Sequence, residues 1–213
     1  MTEGPTGVVP GGPDTAPAAG LFELRAAPTS KLAGQAVAIA DACHAMAVRF
    51  HRGGKLIVFG TGGAAADAQH VAVEFVHPVI VGKRALPAIS LTTDVATVTG
   101  VAEQDGMAGI FAHQLRYLAA PEDIALGISA DGDNDSVRAG LATARERGLL
   151  TVALTGGNGG AIAREHTAEH VLTAPAGDPR IVKELQVTTY HVLWELVHVF
   201  FEQPGVLDPE VVA

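Results

Sequence analysis

Cysteine and basic residues are scarce in this sequence, and each shortage excludes a class of protein. The 213 residues include one cysteine, Cys43, so no disulfide can form within the chain and no zinc site can be built from cysteines. Lys and Arg number 14 against 23 Asp and Glu, a formal net charge of −9. We expect no nucleic-acid partner, because phosphate backbones are bound by clustered cations.

Long apolar runs and a basic N-terminal segment are missing as well. No run approaches the ~20 apolar residues that span a bilayer. No Lys or Arg precedes Arg25, whereas a secretory signal peptide begins with basic residues. We therefore expect a cytoplasmic protein with no membrane partner. Hydrophobic residues make up 48% of the chain and charged residues 17%, a composition too apolar for a disordered protein.

Proline and glycine divide the chain into a leader, one domain and a short tail. Nine of the first twenty residues are Pro or Gly, which predicts a disordered leader over residues 1–29. Helically spaced apolar residues from Ser30 to Phe50 begin a single domain, which we place at residues 30–203. Residues 204–213 form the predicted tail.

Short apolar runs alternate with helical patterns through this domain. The runs are LIVF at 56–59, AISL at 88–91, IALGI at 124–128, TVAL at 151–154 and HVL at 170–172. Each is too short for a helix, and their alternation with helices predicts parallel βαβ units. The sequence therefore predicts a three-layer α/β fold, a doubly wound five-stranded parallel sheet, with an N-terminal helix and a long C-terminal helix from Ile181 to about Glu202.

Three loops follow predicted strands, at the end where open parallel sheets bind ligands. They span residues 60–64, 129–136 and 155–160. The first, GTGGA, leads into a helix whose free amides can hold an anion. The alternative is a tight turn without a ligand. Its loose G-x-G-x-x-A pattern leaves dinucleotide binding open, but the acidic residue expected ~20 positions later has its nearest candidate in Asp94, 34 positions beyond Gly60.

Acidic residues crowd the second loop. Asp131, Asp133 and Asp135 match the first three ligand positions of an EF-hand loop, but Ser136 replaces the turn glycine, which argues against calcium. Capping of the following helix, for example by Asp135, explains the same residues without a ligand.

Histidines and carboxylates recur at helical spacing on two predicted helices. His70 and Glu74 lie four residues apart on one face, a spacing that suits a shared metal or a division of acid–base work. On the last helix Lys183 and His191 belong to a series that advances in steps of four. Taken alone, each pattern is more typical of a plain surface or interface.

The ordered set of these motifs resembles the sugar isomerase (SIS) domain family, and within it the phosphoheptose isomerases, from about Leu32 to Glu202. The residues that carry the resemblance are, in order, Gly60-Thr61-Gly62-Gly63, Asp67, His70 with Glu74, Leu86-Pro87-Ala88-Ile89, Asp94, Gly106 with Ile110-Phe111, Gly127-Ile128-Ser129, Ala144-Arg145-Glu146-Arg147-Gly148, the segment LTGGNGG at 154–160, and Lys183-Glu184 followed by His191. The resemblance implies a flavodoxin-like strand order and a homo-oligomer, a tetramer or a dimer.

The resemblance also implies roles for individual residues. Glu74 and His191 fall on the acid–base pair that moves a proton between adjacent sugar carbons through an enediol. His70, Glu74 and His191 fall on zinc ligands. The positions that correspond to substrate contacts are Thr61, Gly62, Gly63, Asp94, Ser129, Ala130, Asp131, Asn134 and Lys183.

Three departures from the family's pattern concern the same site. Lys183 stands where the isomerases place a glutamine as the remaining zinc ligand. Because an ammonium cannot bind a metal, we expect zinc, the one cofactor that the family suggests, to bind weakly or not at all. In the phosphate loop, Ala130, Asp131 and Asp133 replace hydroxyl or amide side chains, and Pro78 replaces a substrate-binding arginine.

These observations lead to one main hypothesis and two alternatives, in all of which the partner is a sugar or sugar phosphate. The main one is a ketose–aldose isomerase for a phosphosugar such as sedoheptulose 7-phosphate. The first alternative is a non-catalytic SIS protein that senses a sugar or acts as an adaptor, since an altered phosphate loop is what loss of activity would leave. The second is an isomerase for a less anionic or amine-bearing sugar, with which Asp131 and Asp133 can pair.

Overall fold

A computed structural model of the chain describes residues 16–203 and 205–207. The strands are β1 (Leu56–Gly60), β2 (Ala88–Ser90), β3 (Ile124–Ile128), β4 (Leu150–Gly156) and β5 (His170–Ala174). The helices are α1 (Ala16–Ala33), α2 (Ala36–His51), α3 (Gly63–Val76), α4 (Val95–Asp105), α5 (Ile110–Leu118), α6 (Asp135–Glu146), α7 (Gly160–Arg164) and α8 (Pro179–Glu202), with a 3₁₀ turn at Met107–Gly109.

The five strands form one parallel sheet in the order β2-β1-β3-β4-β5. The predicted fold class and strand order are therefore confirmed. Because β1 pairs with β2 on one side and with β3 on the other, the chain reverses its direction of travel across the sheet between β1 and β3. Gly60 and Ile128 end these two strands and face each other in register, so a crevice opens just beyond them.

Helices cover both faces of the sheet. On one face α2, α3 and α8 pack against strand residues such as Val58 and Leu126. On the other face α4, α5, α6 and α7 pack against Phe59 and Ala125. β1, β3 and β4 are buried along their whole length, which explains why their sequences are continuous apolar runs. α3 and α8 are neighbours in the first layer, and together they carry His70, Glu74, Lys183 and His191.

The first helix begins earlier than the sequence predicted. Residues 16–29, which we assigned to a disordered leader, belong to α1, and residues 1–15 of that leader lie outside the described residues. Arg25 anchors α1 to the domain, since its guanidinium donates to both carboxylate oxygens of Glu184 in α8, at 2.6 and 2.8 Å. Leu32, near the end of the helix, is buried beside Ile181 of α8. These tertiary contacts override the helix-breaking tendency of Pro28.

The helical pattern from Ser30 to Phe50 is divided between two helices, contrary to the prediction of one. The break falls at Gly34 and Gln35 because the Gln35 side chain turns towards β5. Its Nε2 donates to the Thr173 carbonyl at 2.6 Å, and its Oε1 accepts from the Thr173 amide at 3.2 Å. Since β5 is an edge strand, these bonds satisfy backbone groups that no neighbouring strand reaches.

Residue 204 and residues 208–213 of the predicted tail lie outside the described residues, while Leu207 is buried against the core. Within the described part of the chain, no helix combines the length and the apolar character that crossing a bilayer requires.

Candidate active site

A cavity of about 260 Å³ lies at the carboxyl ends of β1 and β3. Its lining is formed by Thr61, Gly63, Ala64, Asp67, Ile128, Ser129, Ala130, Asp131, Asn134, Pro179, Lys183 and Gln186. Seven of the predicted site residues are among them, and they come from the first loop, the second loop and the start of α8. The fold therefore brings these three segments together, as ligand binding at a sheet's switch point requires.

The first loop reaches the crevice through glycine geometry. A Cβ on Gly60 would lie 2.8 Å from the Ile128 carbonyl oxygen, so only glycine lets β1 and β3 end side by side. Gly62 has a φ of +58° and precedes α3 without a side-chain cap, which leaves amides at the start of that helix free for a ligand. Thr61 joins the second loop, because its Oγ1 accepts a hydrogen bond of 2.8 Å from Asn134 Nδ2.

The carboxylates of the second loop serve the loop itself. Asp131 Oδ1 accepts from the Ser129 hydroxyl at 3.2 Å and from the Asp133 amide at 2.9 Å. Asp133 Oδ1 accepts from the Ala161 amide at 2.7 Å and pairs with Arg164, so it caps the short helix α7. Asp131 and Asp133, which replace hydroxyl or amide side chains in the phosphate loop of the family's pattern, thus have hydrogen-bond partners within the protein.

The cap of α6 differs from the residue that we predicted. Asn134, and not Asp135, is the N-cap, since its Oδ1 accepts from the Val137 amide at 3.1 Å. Asp135 is the first helical residue and pairs with Arg138 at 2.9 Å. The Asn134 side chain therefore fixes the start of α6 with its oxygen and the position of Thr61 with its nitrogen, because one amide supplies both an acceptor and a donor.

The third loop supports the second rather than lining the cavity. Gly132 has a φ of +81°, and a Cβ there would lie 2.0 Å from the Gly159 carbonyl oxygen. The backbones of the two loops are thus in direct contact. Gln186 of α8 adds to this support, since its Nε2 donates to the Ser129 carbonyl at 2.9 Å.

Lys183 brings a positive charge to the cavity. Its Nζ donates to the Gly63 carbonyl at 2.8 Å and forms an ion pair with Asp67 Oδ2. The Lys183 side chain is 43% exposed, while that of Asp67 is 8% exposed. The ammonium therefore neutralises a buried carboxylate and still presents exposed surface to a ligand.

His70, Glu74 and His191 form a cluster farther along the same pair of helices. Each offers a ligand atom, and the three atoms lie within 4.8 Å of one another. His70 Nε2 lies 3.2 Å from Glu74 Oε1, and the rings of His70 and His191 meet edge to face at 5.3 Å. Since His70 follows Asp67 by one turn of α3, the cluster continues the seam of α3 and α8 beyond Lys183. An imidazole and a carboxylate at this distance can exchange protons with a ligand in that seam.

The cluster fits a catalytic zinc ion in the chemistry of its donors. Two imidazoles and a carboxylate, with one position left for water or substrate, are a ligand set of catalytic zinc sites. Lys183, which the resemblance led us to expect at the position of a fourth zinc ligand, is engaged with Asp67 and Gly63. His70, Glu74 and His191 would therefore hold the ion without a fourth protein ligand.

Tyr190 belongs to this cluster, although the sequence reasoning gave it no role. Its side chain is almost fully buried, and its hydroxyl lies 2.9 Å from His70 Nδ1. Burial, together with the negative charges of Asp67 and Glu74, raises the pKa of Tyr190 well above its usual value. Trp194, one turn later, donates its Nε1 hydrogen to the Glu74 carbonyl at 2.9 Å. Only the adjacency of Tyr190 to His191 could have drawn attention to it in the sequence.

Asp94 does not join the other predicted site residues within one chain. It is the N-cap of α4, where its carboxylate accepts from the Thr97 hydroxyl at 2.6 Å and from the Thr97 amide at 3.1 Å. These bonds lower the pKa of Asp94. Asp94 lines a separate cavity of about 410 Å³, together with His113 and Tyr117. The separation follows from the sheet order, since β2, which precedes Asp94, is at the sheet edge.

The sequence and the fold both match known proteins. Residues 23–156 match the model of the SIS domain family. The chain is 39% identical over 169 residues to a phosphoheptose isomerase of Solidesulfovibrio magneticus, covering 79% of this chain and 81% of the relative. It is 39% identical over 159 residues to a phosphoheptose isomerase of Aquifex aeolicus, covering 75% and 82%.

The solved structures that match this fold include phosphoheptose isomerases, the same enzyme as the relatives found by sequence. A phosphoheptose isomerase from Francisella tularensis matches with a TM-score of 0.80 and 30% identity, over 86% of this chain and 97% of that one. The enzyme from Neisseria gonorrhoeae matches with a TM-score of 0.78 and 27% identity over the same shares. The chain therefore belongs to the SIS domain family and, within it, to the phosphoheptose isomerases.

Proposed function

We propose that this chain is a phosphosugar isomerase that interconverts a ketose and an aldose, with a sedoheptulose 7-phosphate-like substrate. The observation that carries the proposal is the meeting of His70, Glu74 and His191 within 4.8 Å, next to a cavity at the ends of β1 and β3. The relatives that bear the name phosphoheptose isomerase, matched over 81% and 82% of their own length, support the same substrate class.

The cavity would hold the phosphate end of the sugar. Lys183 supplies the positive charge, and the start of α3 at Gly62 and Gly63 supplies backbone amides. Helix N-termini bind phosphate through such amides and the helix dipole. Asp131 also lines the cavity, but its Oδ1 already accepts two hydrogen bonds from its own loop.

The chemical step would take place at the cluster. Glu74 removes a proton from the carbon next to the carbonyl and returns it to the neighbouring carbon, while His191 moves a proton between the two oxygens through an enediol. The atoms balance without a further reactant, because the product is an isomer of the substrate. A zinc ion held by His70, Glu74 and His191 would polarise the carbonyl as a Lewis acid when bound.

A substitution at Glu74 tests the proposal. We expect Glu74→Gln to lower kcat for sedoheptulose 7-phosphate about 10²–10⁴-fold, the usual contribution of a general base. Glu195→Gln is the matched control, since Glu195 is an exposed glutamate on α8, and it should retain wild-type activity. Unchanged activity of Glu74→Gln would contradict the mechanism, and absence of turnover in the wild type would favour a non-catalytic sugar-binding role.

We further propose that the protein is a homo-oligomer, a tetramer or a dimer, in the cytoplasm. Large apolar side chains remain exposed on α1, as at Phe22, and after α3, as at Val79 and Val81, and exposed apolar groups of this kind are covered in assemblies. Light scattering should give a mass two or four times the 21.8 kDa of one chain. A monomer at micromolar concentration would contradict this proposal.

A further inference from the structure

Gln186 lies in the wall of the cavity at the ends of β1 and β3, and its side-chain amide is fixed in one orientation. Its Nε2 donates to two backbone carbonyls, that of Ser129 at 2.9 Å and that of Leu154 at 3.3 Å. An amide nitrogen donates hydrogen bonds, and an amide oxygen accepts them. Turning the amide over would set Oε1 against the two carbonyl oxygens, so the nitrogen and the oxygen keep these places.

The Oε1 atom of the same side chain lacks a donor. Within the part of the chain that the structure describes, no group donates a hydrogen bond to it, although only 4% of Gln186 is exposed. The unpartnered side-chain atoms that are completely buried there are Arg138 Nε and His170 Nε2, so Gln186 Oε1 retains accessible surface. Because Gln186 lines the cavity, this surface faces the space that a ligand would fill. A buried acceptor without a partner is costly, and a ligand can supply the missing donor.

The position of Gln186 along α8 indicates which part of a ligand it meets. It follows Lys183 by three residues and precedes His191 by five, which correspond to about 4.5 Å and 7.5 Å along a helix axis. In the proposed function Lys183 binds the phosphate end of the sugar and His191 acts at the reacting carbons. The carbons between these two ends of a ketose phosphate bear hydroxyl groups, and a hydroxyl can donate a hydrogen bond.

We propose that Gln186 is a specificity-determining residue, whose Oε1 accepts a hydrogen bond from a sugar hydroxyl in the half of the chain nearer the phosphate. This inference rests on the proposed function, which places the sugar between Lys183 and His191. The same oxygen repels groups that only accept hydrogen bonds, so it directs phosphate oxygens towards Lys183. The cavity therefore selects a hydroxylated chain over a deoxygenated chain of the same length.

Substrate analogues that lack single hydroxyls test this contact. We expect the wild type to turn over at least one of 5-deoxy- and 6-deoxy-sedoheptulose 7-phosphate with a kcat/KM about 10–100-fold below that of sedoheptulose 7-phosphate, because the analogue leaves a buried acceptor unpaired. In Gln186→Met, which keeps the length of the side chain without the acceptor, this ratio should fall to about threefold or less. Differences in ring closure between the sugars affect both enzymes alike, so the comparison of the two ratios isolates the contact.

Gln114→Met is the matched control. Gln114 is 5% exposed, and its Nε2 likewise donates to two backbone carbonyls, those of Leu91 and Ile110, both at 3.0 Å. It does not line the cavity that contains Gln186. Both variants should be less stable than the wild type, while Gln114→Met should keep the wild-type discrimination between the sugars.

Two results with these variants would overturn the inference. If Gln186→Met discriminated between the sugars as the wild type does, Gln186 would serve only to hold the second loop. If both variants lost discrimination to the same extent, loss of a buried amide would explain the effect without a contact to the sugar.

Binding measurements on the wild type need neither turnover nor a folded variant. Calorimetry should give at least one of the two deoxy analogues a Kd about tenfold or more above that of sedoheptulose 7-phosphate. Equal Kd values for the three sugars would overturn the inference. The expected difference in Kd without any turnover of sedoheptulose 7-phosphate would instead contradict the proposed isomerase activity alone.

Discussion

Lys183 and Asp67 place two opposite charges at the wall of the cavity, and only one of them is exposed. Asp67 is buried, so its carboxylate depends on the ammonium that crosses from α8. A buried carboxylate that loses its charged partner still bears the free-energy cost of desolvation. No interaction then offsets that cost. The pair is therefore structural as well as functional, and the two roles can be separated by substitution.

We expect Lys183→Met to lower the free energy of unfolding by about 1–3 kcal/mol, the usual cost of an unsatisfied buried acceptor. The double substitution Lys183→Met with Asp67→Asn should recover part of this loss, because no charge is then left buried. Urea denaturation measures both effects. Lys31→Met is the control, since Lys31 lies exposed on α1. A Lys183→Met variant as stable as this control would contradict the structural role.

The candidate site could be predicted from the sequence where spacing alone places side chains together. His70 and Glu74 are one helical turn apart, so their proximity was predictable and is confirmed by the 3.2 Å contact. Tyr190 was not predictable, because its role depends on how α8 packs along α3. Asp94 shows the reverse limit, since the motif order grouped it with the other site residues, whereas within one chain it lines a separate cavity that follows the edge strand β2.

At the scale of elements, strands were easier to predict than helix boundaries. Burial on both faces makes a strand a short apolar run, and all five runs correspond to strands of the sheet. Helix boundaries depend on contacts distant in sequence. The helical pattern breaks at Gln35, whose side chain forms a hydrogen bond with the Thr173 carbonyl. α1 extends into a Pro-rich segment because Arg25 pairs with Glu184.

The N-cap of α8 makes the stability of the fold depend on pH. Asp178 is the N-cap, and its carboxylate accepts from the Arg180 guanidinium at 2.6 Å and from the Arg180 amide at 2.9 Å. These bonds lower the pKa of Asp178 to about 2. A carboxyl group with a lower pKa in the folded state stabilises the fold above its unfolded pKa of about 3.9, and that contribution is lost as the pH falls towards 2.

We therefore expect Asp178→Ala to lower the melting temperature at pH 6, and the difference from the wild type to narrow between pH 4 and pH 2. Thermal unfolding followed by circular dichroism at these pH values measures the narrowing. Asp41→Ala removes an exposed aspartate of α2 and serves as the control, with no such trend. A difference between Asp178→Ala and the wild type that stays constant down to pH 2 would contradict the assignment of the cap.

For the whole molecule, the net charge of −9 opposes an anionic substrate at long range. Specific recognition of a phosphosugar must then come from short-range groups at the cavity. The second-loop acids were the strongest reason to consider a less anionic sugar, but Asp131 and Asp133 accept hydrogen bonds within the protein. Lys183 and the backbone amides at the start of α3 remain available to bind an anion.

A thermal-shift comparison of sedoheptulose 7-phosphate with unphosphorylated sedoheptulose decides between these substrate classes. At a hundredfold excess over Kd, a ligand that binds only the folded state stabilises it by about 2.7 kcal/mol, roughly 5–10 °C in a chain of this size. We expect that shift for the phosphosugar and almost none for the free sugar at equal concentration. Glu74→Gln should retain the shift, because it removes the base and leaves the cavity intact, whereas Lys183→Met should lose most of it. Equal shifts for the two sugars would mean that the phosphate is not recognised, and the less anionic substrate would then be the better assignment.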